Sequence, residues 1–245
     1  MWRFTGICML FAALLSTAAI APVQAAGTAA GPAGYTFCTN QGSPCIFSGT
    51  GGVAFGAAGH FNYKVVVNRT GCNKTIFGDP LPGTPKACYY RVVARPGTRQ
   101  GTYFTSYGYN DNDDGNGHYG TAVIAYPDSH HAIATEGKGS YGAPITFATD
   151  PGEIPPHTMI YVPYLQKYFF MEDGCSECSS DWNNGHVWRT DLFMGGNTAL
   201  QPEPALDNCE SAITRNAVMY INAGPGYPVD GRPLFANGIC KARMH

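Results

Sequence analysis

The sequence predicts an all-β protein: a small β module framed by cysteines, then a closed or nearly closed barrel of six strands. Three observations carry this. Short apolar runs of four to eight residues recur between Gly and Pro turn signals at regular spacing, as in sandwiches and barrels. Gly (31), Pro (18) and Tyr (15) are abundant while long helical periodicities are missing. Eight of the nine cysteines lie beyond an N-terminal leader, an even number suited to bridging small sheets.

The leader comes first. Trp2 and Arg3 precede an apolar stretch at residues 7–15, and "APVQAA" supplies small residues before a cleavage point after Ala25 or Ala26. This is the order of a secretory signal peptide over residues 1–25, and the apolar run is short for a membrane span. The expected product is exported, either secreted or periplasmic, with no membrane association after cleavage. Residues 26–34 read as a small-residue spacer.

Residues 35–93 form the cysteine-framed unit. "HFNYKVVV" and "KACYYRVV" alternate and are rich in β-branched and aromatic residues, so they read as antiparallel strands. Fewer than about 60 residues bury little core, which accounts for cross-linking. Spacing suggests Cys38 with Cys45, Cys72 with Cys88, and Cys209 with Cys240. Cys175 and Cys178 form a C-x-x-C that admits a zinc half-site, a redox pair or a structural bridge. Zinc would need two further ligands and only His186 is near, so the bridge is preferred.

"RPGTRQ", within residues 94–100, reads as a linker to a domain over residues 101–245. There the runs "GTYFTSYGYND", "GTAVIAYP", "APITFAT", "TMIYVPYL", "KYFFMED" and "RTDLFMG" give six strands, with "AVMYINA" as a late addition. Residues 208–216, "NCESAITRN", are the one helix expected in this part.

Net charge is −2 and only 13% of residues are charged, which gives no basic face for a nucleic-acid partner. No nucleophile elbow, H-E-x-x-H or phosphate-cradling glycine loop occurs, so no cofactor is expected. "DNDDGNG" looks like a calcium loop but lacks the terminal Glu of an EF-hand, and reads as a polar loop. His130 and His131 read as a solvated pair. Asp173 and Asp191 each follow an apolar run; rigid strand-end acids are what glycan cleavage needs at the leaving oxygen and at the oxocarbenium-like carbon.

"FCTNQGSPCIFSGTGGVAFGA" and "CNKTIFGDPLPGTPKACYY" resemble a small module recurrently attached to secreted bacterial glycan-degrading enzymes. The resemblance implies a positioning role on polysaccharide, with Tyr35, Phe37, Phe55 and Phe61 as stacking rings or as the unit's own core. "IPPHTMIYVPYL", "FFMED" and "RTDLFMGG" resemble the double-psi β-barrel family of A-type lytic transglycosylases, rare lipoprotein A, family-45 endoglucanases and expansins.

That second resemblance implies a six-stranded double-psi β-barrel with Asp191 as general acid. Burial by Leu192, Phe193 and Trp188 would hold its proton near neutrality. Asp173 matches the acid that ends the preceding strand. Tyr107 matches a cleft Tyr of expansins and endoglucanases, and Asp111 is the nearest equivalent of the Asp that follows it, with Asp113 competing. Tyr107, Trp188 and Tyr103 are the rings expected to bind substrate. The implied activity is cleavage of peptidoglycan strands, by a hydrolytic or lytic transglycosylase route, by a monomer. A cellulase-like β-1,4-glucanase and a non-catalytic expansin-like or inhibitor-like barrel are the rival expectations.

Overall fold

The structure is a computed structural model describing residues 30–197 and 203–245. The leader expected over residues 1–25, and residues 26–29 of the spacer, lie outside the described residues. Among the described residues no helix is long and apolar enough to cross a membrane.

The N-terminal module is a four-stranded antiparallel sheet. It comprises β1 (Thr36–Asn40), β2 (Pro44–Ala57), β3 (His60–Gly71) and β4 (Ala87–Val92) in the order β1-β4-β2-β3, with a single-turn helix α1 (Lys74–Phe77). Ala57 pairs with His60 across a two-residue turn whose Ala58 and Gly59 both have positive φ, the geometry that suits the strands' twist. Val53, Phe55 and Phe77 form a thin core around Cys45, Cys72 and Cys88. Disulfides Cys38–Cys45 and Cys72–Cys88 are formed as the spacing suggests, as are Cys175–Cys178 and Cys209–Cys240. Of the rings considered for stacking, Phe55 is wholly buried, and Tyr35 and Phe61 pack on Tyr63; Phe37 alone is well exposed.

The barrel is built from β5 (Thr98–Tyr107), β6 (Ile145–Ala148), β7 (Met159–Val162), β8 (Lys167–Asp173), β9 (Arg189–Phe193) and β10 (Arg215–Ile221). These six close in the order β10-β5-β9-β6-β8-β7, and β10 returns to β7 through Tyr220 opposite Tyr161. Two pairs are parallel, β5 with β9 and β6 with β8; the rest are antiparallel. Exchanging the first three barrel strands with the last three gives the same closed ring read in the opposite direction. That internal twofold is the double-psi arrangement. Phe104, Phe147, Ile160, Phe169, Leu192 and Met219 fill the interior.

Helices α2 (Ser176–Gly185) and α3 (Pro204–Ile213) and the short hairpin of β11 (Phe235–Ala236) and β12 (Ile239–Cys240) surround the barrel. Several expectations are corrected. "GTAVIAYP" is not a strand: it belongs to the long connection from β5 to β6, held by side chains such as Asn112, which donates to the Thr121 and Val123 carbonyls. "AVMYINA" supplies the sixth strand instead. Helix α2 is not among the expected elements; Cys175, bridged to Cys178, caps it by accepting from the Cys178 N–H at 3.1 Å. His131 is no solvated residue, for its Nδ1 lies 2.8 Å from the buried Glu172 carboxylate.

The region read as a linker is also corrected. Thr98, Arg99 and Gln100 already belong to β5, paired with Ile221, Tyr220 and Met219. Val93 joins a buried cluster with Tyr161, Tyr168, Tyr220 and Tyr227 between module and barrel. Tyr161 and Tyr227 stack at 4.2 Å, and Tyr227 donates to the Pro96 carbonyl at 2.8 Å. Gly97 has φ +79°, and a Cβ there would meet the Ile221 carbonyl oxygen at 2.3 Å, so the chain presses on β10 at this point.

Candidate active site

A groove of about 970 Å³ opens at one side of the barrel, where β5, β6, β8 and β9 meet the long β5–β6 connection and the start of α2. Ala148 of β6 pairs on one side with Asp173 of β8 and on the other with Asp191 of β9. The two aspartates are therefore two strand spacings apart, roughly 10 Å between Cα atoms, and both line the groove. Strand alternation supplies the pointing: Thr190 and Leu192 go fully into the core, and Asp191 between them faces out.

The two carboxyls have different surroundings. Asp173 Oδ2 accepts from the Tyr107 hydroxyl at 3.0 Å, and Oδ1 accepts from the Ala125 and Gly174 N–H groups at 3.0 and 2.9 Å. Burial pushes its pKa up to about 6 against these donors. Asp191 neighbours Thr105 across the parallel β5–β9 pair, and its Oδ1 is buried without a hydrogen-bond partner. Burial pushes it up to about 7, opposed by the Thr105 hydroxyl. Burial thus lifts both carboxyls above the ordinary aspartate range, Asp173 against three donors and Asp191 with Oδ1 unpaired, so the proton is held more readily on Asp191.

Asp111 lies on the exposed rim, raised by desolvation and by the charge of Asp207. Tyr107 is buried in the wall, with its ring edge-on to Phe193 at 5.3 Å. The other two expected rings are not brought to the groove. Trp188 packs on Trp182, and Tyr103 lies beneath the Arg189 guanidinium at 5.4 Å. Trp188 precedes Asp191 and Tyr103 precedes Tyr107 in the chain, but packing on Trp182 of α2 and on Arg189 turns them away.

Sequence reading missed Arg189, a lining residue whose Nε donates to Asp181 at 2.7 Å, and Glu177 in the first turn of α2. It also missed Glu210 of α3, pushed up to about 8 by burial and by the nearby Asp111, Asp207 and Asp191 charges. No motif marks these; they meet only through tertiary structure. Asp113 and Asp114 line the groove while their oxygens accept N–H groups of their own turn, from Gly115, Asn116 and His118. Among the described residues no grouping of three or more His, Cys, Asp or Glu side chains is placed to hold a metal ion.

Residues 99–241, covering the barrel and its C-terminal hairpin, match the family described as the DDB_G0273701 N-terminal domain. The chain belongs to this family. A Dictyostelium discoideum relative, "Uncharacterized protein DDB_G0273701/DDB_G0273221", is 32% identical over 120 residues, 48% of this chain and 51% of its own. "Uncharacterized protein L701" of Acanthamoeba polyphaga mimivirus is 37% identical over 67 residues, 26% of this chain and 32% of its own. This family member thus spans about half the length of the first relative and a third of the second. No solved structure matches. The family match includes all the groove acids named above and leaves out the N-terminal sheet.

Proposed function

We propose that the protein is an exported enzyme that cleaves a β-1,4-linked glycan, with peptidoglycan strands as the first substrate to test. Asp191 protonates the leaving glycosidic oxygen, and ionised Asp173, beside it on the same wall with Ala148 between, stabilises the oxocarbenium-like carbon or activates water. The observation that carries this reading is the placement of the two acids on either side of Ala148, in one groove, with carboxyl groups near pKa 7 and 6. A second carboxylate in the same groove favours hydrolysis over the one-acid lytic route, because it can stabilise the oxocarbenium-like carbon or activate a water. Four disulfides support an oxidising compartment. The N-terminal sheet, with Phe37 exposed, is proposed to hold the enzyme on insoluble substrate.

The test is incubation with purified peptidoglycan and with amorphous cellulose, followed by mass spectrometry. Reducing ends mean hydrolysis, anhydro-sugar ends mean the lytic route, and soluble products from cellulose alone mean a glucanase. Glycan binding without products would replace the enzyme by an expansin-like binder.

A further inference from the structure

The charge of the groove says more about its ligand than the fold does. Asp111, Asp113, Asp114, Asp173, Glu177 and Asp191 all line it, and Arg189 is the only lysine or arginine among the lining residues. Arg189 is already engaged by Asp181, and the exposed His118 imidazole lies 2.9 Å from Asp114. Like charges held together in a partly desolvated wall repel, and they focus a negative potential on whatever enters. Within the wall, Asp191 Oδ1 is buried without a donor, although a buried carboxyl oxygen ordinarily has one.

The groove also lacks the usual device for neutral sugars. Tyr107 is its only aromatic lining residue, and that ring is packed into the wall with its hydroxyl committed to Asp173. No exposed ring is offered to a pyranose face.

We infer that the groove selects a β-1,4-linked glycan whose sugars carry free amino groups, such as a de-N-acetylated strand, over its neutral acetylated counterpart. This rests on the glycan-cleaving reading and narrows it. Protonated amines would pair with the rim carboxylates Asp113, Asp114 and Glu177, seating the chain over Asp173 and Asp191.

The test compares an oligomer of β-1,4-linked glucosamine with its fully N-acetylated form of equal length, by calorimetric binding to an Asp191→Asn variant and by initial cleavage rates of the unaltered protein. An oligolysine of equal charge is the control. The glucosamine oligomer is expected to bind about tenfold or more tightly in dilute buffer, the difference shrinking to about twofold near 0.5 M salt as screening sets in. Asp113→Asn with Glu177→Gln, both at solvent-facing positions, is expected to cut the preference to about threefold or less. Equal or tighter binding of the acetylated oligomer, or oligolysine matching the glucosamine oligomer, would overturn the inference while glycan cleavage could still stand. Neither oligomer being bound or cut, with peptidoglycan and cellulose also untouched, would remove the glycan reading itself.

Discussion

Asp173 and Asp191 never pair with each other, yet each pairs with Ala148, so one small residue sets the spacing between two acids. Both belong to strands whose other residues are largely core, and this fixes their position against a rigid wall. Ala148 is itself buried and lines the groove between them. A larger side chain there would intrude on the acids. Ala148→Val is expected to depress cleavage at least tenfold, with a modest stability cost of about 1–3 kcal/mol from overpacking. Kinetics beside thermal melts would check this, and full activity would show that the spacing is not used.

Activity should follow a narrow bell against pH. Asp173 must be ionised, so activity is lost as pH falls through about 6, and Asp191 must be protonated, so activity is lost as pH rises through about 7. The optimum is expected between those values. A profile flat from pH 5 to 9 would exclude this pair as acid and partner.

The same shifts bear on stability, with a definite sign. A carboxyl whose pKa is higher folded than unfolded favours the fold while protonated, and that contribution is lost as pH rises from the ordinary carboxylate range through the folded value. For Asp191 the window runs from about 4 to about 7. Asp191→Asn is therefore expected to be as stable as the parent at pH 4 and more stable at pH 8. The gain should be on the order of 1–2 kcal/mol, below the full value of the shift because part of the carboxyl meets solvent. Chemical denaturation at both pH values measures it.

Tyr107→Phe isolates the bond to Asp173. Loss of the hydroxyl costs about 1 kcal/mol and removes a donor that holds the Asp173 carboxyl down. The acidic limb of the pH profile is expected to move upward while the alkaline limb stays. An unmoved acidic limb would detach Asp173 from the chemistry.

The barrel was legible because β8 and β9 announce themselves as apolar runs ending in or enclosing acids, and "TMIYVPYL" keeps β7 in view. Disulfide spacing was equally direct. What escaped was decided at a distance. The segment "GTAVIAYP" has strand composition but is recruited to the groove wall, where the Ala125 N–H caps Asp173. Helix α2 hides in "SECSSDWNNG", whose residues favour caps and turns, until the Cys175 cap sets it. Trp188 lies three residues before Asp191 and Tyr103 four before Tyr107, but both side chains face elsewhere in space, and Glu177 joins the site only through folding.

Module and barrel should unfold together. Tyr161, Tyr168, Tyr220 and Tyr227 are buried with Val93 of the connecting segment, and Gln166 Nε2 donates to the Tyr63 carbonyl across the boundary at 2.9 Å. Tyr227→Ala is expected to cost about 3–5 kcal/mol and to lower a single calorimetric transition. Two separate transitions in the unaltered protein would mean that the interface is weak.

The proposed proton donor is Asp191, and the cleavage rate of Asp191→Asn on the substrate that the unaltered protein degrades decides its role. The substitution keeps shape and removes the acid. A loss of about 10²–10⁴-fold is expected, with a native fold and, at pH 8, a higher melting temperature. Near-full cleavage by a folded Asp191→Asn protein would contradict it and send the search for the acid elsewhere in the groove.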